Sequence, residues 1–180
     1  MSNLTTLSFD TSELPFRPCV GIMLLNKQGL VFIGRRLQLS RKGEVLDQYA
    51  WQMPQGGIDR GENPLDAAKR ELLEETGVTS ATFLAEASDW YQYDLPQNPA
   101  GRSFRGRYRG QTQKWFAFRF EGDDSEINIH EPENGLKAEF SHWRWEKMQR
   151  LPDLVIPFKR PVYELVVNTF SYLSASTVKE

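Results

Sequence analysis

The segment from Asn63 to Gly77 constrains the fold most, because the signals for both ends of one helix lie within it. Asn63 is a suitable N-cap, Pro64 suits the first helical position, and Gly77 suits the position just past the end. Three apolar residues recur between these ends at helical spacing: Leu65, Ala68 and Leu72. They are expected to face the core, so the sequence predicts an amphipathic helix packed against the rest of a domain.

The same helix concentrates negative charge. Glu71, Glu74 and Glu75 stand at positions i, i+3 and i+4, which places all three carboxylates on one face. A solvated surface would account for them, although like charges at these spacings cost roughly a few tenths of a kcal/mol per pair. A site for a hard metal ion such as Mg²⁺, which prefers oxygen ligands, would also account for them.

Strand patterns lie on both sides of this helix. Continuous apolar residues over 19–26 predict a strand buried on both faces, and residues 30–36 predict a second strand that forms a hairpin with it. Further strands are predicted within 82–95 and 113–120. Loops are predicted at 37–50 and 96–112.

A second helix is predicted within residues 160–175. Its expected buried stripe comprises Val162, Leu165, Val166, Thr169 and Leu173. The chain of 180 residues suits one domain, expected over 16–175, with residues 1–15 as a flexible arm. Because strands and helices mix without a regular βαβ rhythm, we expect an α/β fold of the α+β kind, with helices flanking a mixed sheet.

Composition argues against several classes of protein. The formal net charge of −2 does not indicate a general nucleic-acid binder, so an anionic partner would need a local basic patch. The single cysteine, Cys19, cannot form an internal disulfide, and its apolar surroundings favour a buried position. No apolar run approaches the roughly 20 residues that span a bilayer, and the first residues lack a signal-peptide pattern. We therefore expect a cytoplasmic protein that binds neither membranes nor DNA.

Residues around the acidic helix match the pattern G-x5-E-x7-R-E-U-x-E-E-x-G-U, where U is a bulky aliphatic residue. They are Gly56, Glu62, Arg70, Glu71, Leu72, Glu74, Glu75, Gly77 and Val78. This pattern is the Nudix box, and the chain resembles the Nudix hydrolase family at every fixed position. The resemblance implies an α/β/α sandwich and hydrolysis of a pyrophosphate bond in a nucleoside diphosphate linked to another group.

The resemblance also implies a divalent cofactor, Mg²⁺ in the first place, with Mn²⁺ or another divalent ion as alternatives. The expected ligands are Glu71, Glu74 and Glu75, with a backbone oxygen from Gly56. Arg70 is flanked by glutamates and is expected to orient them through bidentate hydrogen bonds. A carboxylate would take the proton of the attacking water, with Glu71 or Glu139 as the expected base and Glu75 as a further catalytic residue.

Segments outside the box resemble one subfamily, the RNA pyrophosphohydrolases and dinucleoside polyphosphate hydrolases of bacteria. The segments are 16–36, 51–62, 110–120, 126–129, 139–145 and 157–163. By this resemblance Glu139 would be a further metal ligand or base. Arg17 and Arg36 would contact the 5′-phosphates or the first nucleotide. A pocket for a base would be lined by Ile156, Phe158 and Lys159.

Other features leave two interpretations open. Phe158 would be a stacking platform or a core residue, and the aromatic residues of 90–96 would stack on adenine or pack in the core. A basic run would form a solvated loop or a rim that attracts phosphate. This run comprises Arg102, Arg105, Arg107 and Arg109. The loop at 37–50 is longer than in compact bacterial members of the subfamily.

Three functions are consistent with these features. The first is removal of pyrophosphate from the 5′ end of triphosphorylated RNA, which would initiate RNA decay. The second is asymmetric hydrolysis of diadenosine tetra- or pentaphosphate to give ATP. The third is a catalytically inactive Nudix-fold binding module, against which the intact set of acids argues.

Overall fold

The computed structural model describes residues 11–37, 49–96, 107–131 and 137–174. Seven strands form one sheet in the order β3-β2-β1-β6-β5, with β4 paired to β1 and β7 paired to β2. The strands are β1 Phe16–Leu25, β2 Val31–Arg36, β3 Trp51–Gln52, β4 Gln55–Gly57, β5 Ala81–Asp94, β6 Gly110–Phe120 and β7 Phe140–Glu146. The α-helices are α1 Pro64–Thr76, α2 Leu151–Leu154 and α3 Arg160–Phe170. Short 3-10 helices span Thr11–Glu13, Asp124–Glu126, Met148–Arg150, Pro157–Lys159 and Ser171–Leu173.

Strand β1 lies at the centre of the sheet, as its continuous apolar sequence predicts. It pairs in parallel with β6 and antiparallel with β2 and β4, so the sheet is mixed. The turn of the β1–β2 hairpin is closed by Asn26, whose Oδ1 accepts hydrogen bonds from the backbone N–H groups of Gln28 and Leu30. Gly29 supplies the positive φ of +74° that this turn requires.

Each face of the sheet is covered by a separate hydrophobic cluster. Residues of α2 and α3 pack on one face, where the cluster includes Met23, Leu25, Trp115, Leu154, Tyr163, Val166 and Phe170. Helix α1 packs on the other, where the cluster includes Val20, Ile22, Leu24, Ala68, Leu72, Phe116 and Phe118. Alternate residues of β1 serve the two clusters, because successive side chains of a strand point to opposite faces. The α/β/α arrangement expected from the sequence is therefore confirmed.

Helix α3 packs with a stripe that differs in part from the one predicted, and Leu173 just beyond it is buried as expected. Val162 and Val166 are buried as expected, but Leu165 is 48% exposed, whereas Tyr163 and Phe170 are almost fully buried. At about 100° per residue, Leu165 falls on the flank of the stripe that faces the sheet. The large aromatic side chains join the core cluster instead, where the Tyr163 ring meets that of Trp115 on β6.

The predicted loop at 96–112 ends earlier than expected. Strand β6 begins at Gly110, because Gly110 and the next residues pair with the start of β1. Just before the strand, the Arg109 guanidinium and backbone N–H donate to the carbonyls of Ser12 and Pro15, at 2.9 and 3.1 Å. The described part of the predicted arm, residues 11–15, therefore lies against the domain, and residues 1–10 lie outside the described residues. Among the described helices, none is both long and apolar enough to cross a membrane.

Candidate active site

Helix α1 begins and ends where the sequence predicts. The Asn63 side chain accepts a hydrogen bond from the Leu65 backbone N–H at 2.9 Å, and Pro64 is the first helical residue. At the other end Gly77 has the left-handed φ of +71°, and its N–H donates to the Leu73 carbonyl. These caps set the length of the helix and hold its acidic half beside β4.

Arg70 organises the acidic residues of this helix. Its Nε and Nη2 donate to the two carboxylate oxygens of Glu62 at 2.8 and 2.9 Å, which is a bidentate pair. Its Nη1 donates to Glu71 at 2.9 Å and to Glu74 at 3.3 Å, and Nη2 also donates to the Gly57 carbonyl. The hydrogen bonds from Arg70 lower the pKa of Glu62 to about 2, so Glu62 remains ionised as an anchor.

Glu71 lies directly against the β4 backbone. A Cβ atom at Gly56 would lie 1.9 Å from the Glu71 carboxyl carbon, so only glycine leaves room for this carboxylate. Burial raises the pKa of Glu71, and the hydrogen bond from Arg70 opposes that rise. The site thus brings the carboxylate next to a backbone segment whose carbonyl oxygen could serve as a ligand.

Glu75 lies deeper than Glu71 and faces other carboxylates. It accepts a hydrogen bond from the Gln55 backbone N–H at 3.2 Å. Loss of solvation raises the pKa of Glu75 well above its ordinary value, and the nearby Glu139 and Glu71 raise it further. Several carboxylates in one weakly solvated region repel each other, and a bound cation would reduce that repulsion.

Glu139 reaches this region from a distant part of the chain. It immediately precedes β7, which pairs with β2, and its Oε1 accepts a hydrogen bond from Arg36 Nη2 at 3.1 Å. Arg36 ends β2, so the pairing of these two strands brings the two side chains together. The predicted convergence of Glu139 with the acidic helix is therefore observed.

These residues border a cleft of about 280 Å³. Its acidic members are Glu71, Glu75 and Glu139, and its basic members are Arg17, Arg36 and Lys159. Gly56 and Phe158 also line it. Glu74 lies outside this cleft and lines an adjoining pocket of about 170 Å³ together with Glu71, Glu75, Lys137 and Glu139. Acids and cations that are far apart in sequence thus meet in one place.

Lys159 lines the cleft although it is only 4% exposed. Its Nζ donates hydrogen bonds to Oε1 of Gln52 and Oε1 of Gln55, both at 3.1 Å, and lies 5.6 Å from the centre of the Tyr93 ring. Burial lowers the pKa of Lys159 to about 7, with Arg36 acting in the same direction. Its charge therefore changes within the neutral pH range.

The structure separates the residues predicted to line the base pocket. Phe158 lines the cleft and packs on Tyr93, with ring centres 5.6 Å apart. Ile156 is not among the residues that line it and packs against the hydrophobic cluster under α3 instead. The role of Ile156 in a base pocket therefore stays a prediction.

The aromatic residues of β5 also differ in position. Tyr93 lines the cleft, whereas Trp90 is 43% exposed and Tyr91 pairs its hydroxyl with that of Thr169 on α3. In the basic run, Arg109 pairs with Asp94 at 2.6 Å and lies over the Phe16 ring, so it anchors strand ends and does not line the cleft. Arg102 and Arg105 lie outside the described residues, as do residues 38–48 of the long loop.

Sequence reasoning missed two glutamines of the cleft, Gln55 and Gln111. Gln111 belongs to β6, where Gln111 and Gln113 alternate in a strand that is otherwise mostly apolar and buried. Buried polar side chains usually have a hydrogen-bonding purpose, so this alternation was the available signal.

The donor set fits a hard divalent cation. Carboxylate oxygens and a backbone carbonyl are the ligands that Mg²⁺ prefers. Burial raises the pKa values of Glu71 and Glu75, and a bound cation would offset that loss of solvation. Among the described residues, no group of three Asp, Glu, His or Cys side chains is yet arranged to hold a metal ion. Binding would therefore require the carboxylates to turn toward a common point.

Comparisons with known proteins agree with this geometry. The family model for the NUDIX domain matches residues 15–166. The RNA pyrophosphohydrolase of Rhodopseudomonas palustris (strain BisB18) is 60% identical over 93% of this chain and 94% of its own length. The RNA pyrophosphohydrolase of Mesorhizobium japonicum is 57% identical over 94% of this chain and 98% of its own length.

Solved structures show the same fold at low sequence identity. A binary complex of the C. elegans Ap4A hydrolase has a TM-score of 0.59 and 16% identity, covering 88% of this chain and 98% of that one. The dihydroneopterin triphosphate pyrophosphohydrolase of E. coli has a TM-score of 0.57 and 16% identity, covering 86% of this chain and 99% of that one. The fold, the acidic helix with its caps and the family model together establish that this chain belongs to the Nudix family.

Proposed function

We propose that this protein is a Nudix RNA pyrophosphohydrolase, which removes pyrophosphate from the 5′ end of triphosphorylated RNA in the cytoplasm. The observation that carries the proposal is near full-length identity of 57–60% to bacterial RNA pyrophosphohydrolases. The cleft supports it, because three carboxylates and three cationic side chains line one small space. Such a space suits a polyanionic substrate together with a divalent cation.

The metal-binding role is proposed for Glu71, Glu74, Glu75 and Glu139, with the backbone oxygen of Gly56. When bound, Mg²⁺ or a similar ion would neutralise phosphate charge and make water more acidic. Arg70 would keep Glu71 and Glu74 oriented, since it contacts both. The bidentate pair with Glu62 would hold the Arg70 guanidinium in place if either of these acids moved.

Proton transfer is assigned to a carboxylate of the same group. Glu71 and Glu139 both line the cleft, and either would accept the proton of the attacking water. Burial raises the pKa of Glu71, so its carboxylate accepts a proton more readily than a fully solvated one does. Glu139 is held by Arg36, which would have to share its hydrogen bond with substrate.

Substrate binding is assigned to the other side of the cleft. Arg17 and Arg36 present guanidinium groups suited to phosphate oxygens, and Lys159 adds a buried amine. Phe158, whose ring packs against that of Tyr93, offers a surface on which a base could stack. Stacking of this kind contributes about 1–3 kcal/mol per base and tolerates different bases.

The same features would accept a dinucleoside polyphosphate, since it also presents a nucleoside 5′-polyphosphate. The deciding experiment measures kcat/KM for pyrophosphate release from triphosphorylated RNA and for ATP release from diadenosine tetraphosphate, with Mg²⁺ and with chelator. We expect metal-dependent turnover of RNA. Turnover of the dinucleotide alone would refute the RNA assignment, and metal-dependent turnover of neither substrate would indicate a binding module.

A further inference from the structure

A hydrogen-bonded row of side chains on β6 leads from the core to the cleft. Gln111, Gln113 and Trp115 occupy alternate positions of this strand and therefore share one face of the sheet. Trp115 and Gln113 are at most 1% exposed, and Gln111, at 5%, lines the cleft. The mechanism described above uses none of the three.

The direction of this row is set by the tryptophan. An indole N–H can only donate, and Trp115 Nε1 donates to Oε1 of Gln113 at 3.1 Å. The Gln113 carboxamide therefore has its NH₂ group at the opposite end. That group donates to Oε1 of Gln111 at 3.0 Å and to Oε1 of Gln55 at 3.3 Å.

The same chain of bonds orients the last amide. Because Oε1 of Gln111 accepts from Gln113, its NH₂ group is the end left to face the cleft. Within the described part of the chain, no other hydrogen bond engages the Gln111 side chain. Strand pairing places Gln111 beside Arg17 of β1 and Tyr93 of β5, and all three residues line the cleft.

The origin of the row is rigidly held. A Cβ atom at Gly21 would lie 2.4 Å from the Trp115 ring, so the indole occupies space that only glycine leaves open on β1. On its other side the indole meets the Tyr163 ring edge to face, with centres 5.7 Å apart. Tyr163 is fixed in turn by a hydrogen bond from the Met53 backbone N–H. These contacts fix the indole ring, so its N–H points toward Gln113.

We propose that Trp115 and Gln113 are positioning residues that hold the Gln111 carboxamide with its NH₂ group toward the cleft, where it donates a hydrogen bond to a phosphate oxygen of the substrate. The inference rests on the proposed function, because the acceptor is the 5′-polyphosphate. A reversed amide would present its carbonyl oxygen to an anion and repel it. This orientation therefore favours a substrate that places a hydrogen-bond acceptor opposite the Gln111 NH₂ group.

The test uses a double-mutant cycle in the full-length protein. Gln111→Met removes the donor at similar size. Gln113→Glu leaves an acceptor for Trp115 but no donor for Gln111, whose amide then turns its NH₂ group inward. We expect each substitution to raise KM for triphosphorylated RNA at least about tenfold, the typical effect of losing one hydrogen bond to a charged group. We expect kcat to change less than KM.

The two effects are expected to be non-additive, because Gln113 acts through Gln111. The double variant should have a KM no higher than that of either single variant. Gln92→Glu is the matched control, since Gln92 is exposed on the opposite face of β5, where its side chain donates to the Thr112 hydroxyl. This control is expected to retain the wild-type KM.

An unchanged KM in Gln111→Met, or strictly additive effects, would overturn the proposal. If Gln113→Glu fails to fold by circular dichroism, Trp115→Phe takes its place in the cycle, because it keeps an aromatic ring and lacks the N–H. Failure of the proposed function has a different signature: the wild-type protein itself would not release pyrophosphate from RNA.

Discussion

At the scale of single residues, Arg70 explains how a crowded acidic helix is stable. Its guanidinium contacts three carboxylates and one backbone carbonyl, which offsets the repulsion among neighbouring glutamates. The sequence predicts an orienting role for Arg70 from its flanking acids. The bidentate partner of Arg70 is Glu62, eight residues earlier. The sequence pattern includes both residues but does not indicate that they pair.

The proposed role of Glu74 leads to a prediction about catalysis. Glu74 is partly exposed and makes one long contact of 3.3 Å with Arg70, so it adds little to stability. We expect Glu74→Gln to lower kcat by roughly a hundredfold or more, through loss of a charged metal ligand. The free energy of unfolding should change by less than about 0.5 kcal/mol. Steady-state kinetics and urea denaturation measure the two quantities.

Glu164→Gln provides the matched control for that experiment. Glu164 is an exposed helical glutamate that also pairs with an arginine, Arg160, at 2.9 Å. Its substitution should leave kcat unchanged, because it lies on α3 and does not line the cleft. Near-normal activity of Glu74→Gln would contradict a ligand role for Glu74.

At the scale of elements, the close approach of α1 to β4 determines where Glu71 lies. We expect Gly56→Ala to displace the Glu71 carboxylate, because the added Cβ would overlap it. Displacement of a catalytic group by about 1 Å can cost a hundredfold in rate, so kcat/KM should fall by about that factor. The midpoint temperature of thermal unfolding should change little, because the displaced carboxylate is at the end of a flexible side chain.

Gly122→Ala is a suitable control for Gly56→Ala. Its Cβ would also meet a glutamate carboxylate, 2.1 Å from Oε2 of Glu126, but far from the cleft. This variant should keep its activity. Equal losses of activity in both variants would show that the effect of Gly56→Ala is general damage to the fold.

The C-terminal cap of α1 yields a prediction about stability. Gly77 has φ +71°, and an added Cβ would meet only an ordinary contact, 3.4 Å from Asn128. The cost of Gly77→Ala is therefore mainly backbone strain, about 1 kcal/mol in the free energy of unfolding. Gly77→Asn should cost less, because asparagine tolerates the left-handed region better. Urea denaturation measures both free energies of unfolding, and a larger loss in Gly77→Asn than in Gly77→Ala would contradict this account.

At the scale of the whole molecule, the cleft exists because β1, β2, β4, β6 and the start of β7 meet beside α1 and the turn at 157–159. This assembly buries Lys159 beneath polar side chains. Burial lowers the pKa of Lys159 from 10.5 to about 7, so between these values the unfolded chain binds more protons than the folded one. The contribution of Lys159 to stability therefore rises with pH across that window.

Lys159→Met tests this linkage. Between pH 7 and pH 9 the free energy of unfolding of the wild-type protein should rise by about 2 kcal/mol relative to the variant, since one proton is linked to unfolding. Urea denaturation at both pH values measures the difference. Lys69→Met, at an exposed position of α1, should show no such change relative to wild type. Parallel pH dependence of wild type and Lys159→Met would contradict a lowered pKa.

Prediction from sequence succeeded where the determinants are local. The caps of α1, the shared face of its glutamates and the hairpin of β1 with β2 depend on neighbouring residues and were all predicted. The stripe of α3 was partly wrong, because the choice between Leu165 and the aromatic residues depends on the shape of the sheet surface opposite.

Residue spacing along the chain was enough to predict the acidic helix and the mixed α/β architecture, because this spacing does not depend on tertiary contacts. The resemblance of the motif around that helix added the Nudix family. Three features could be read only from the folded chain: which cations face the acids, the burial of Lys159, and the position of Gln111 in the cleft at the end of a row that begins at Trp115. Strand register and burial set these features, and both depend on which distant segments pair.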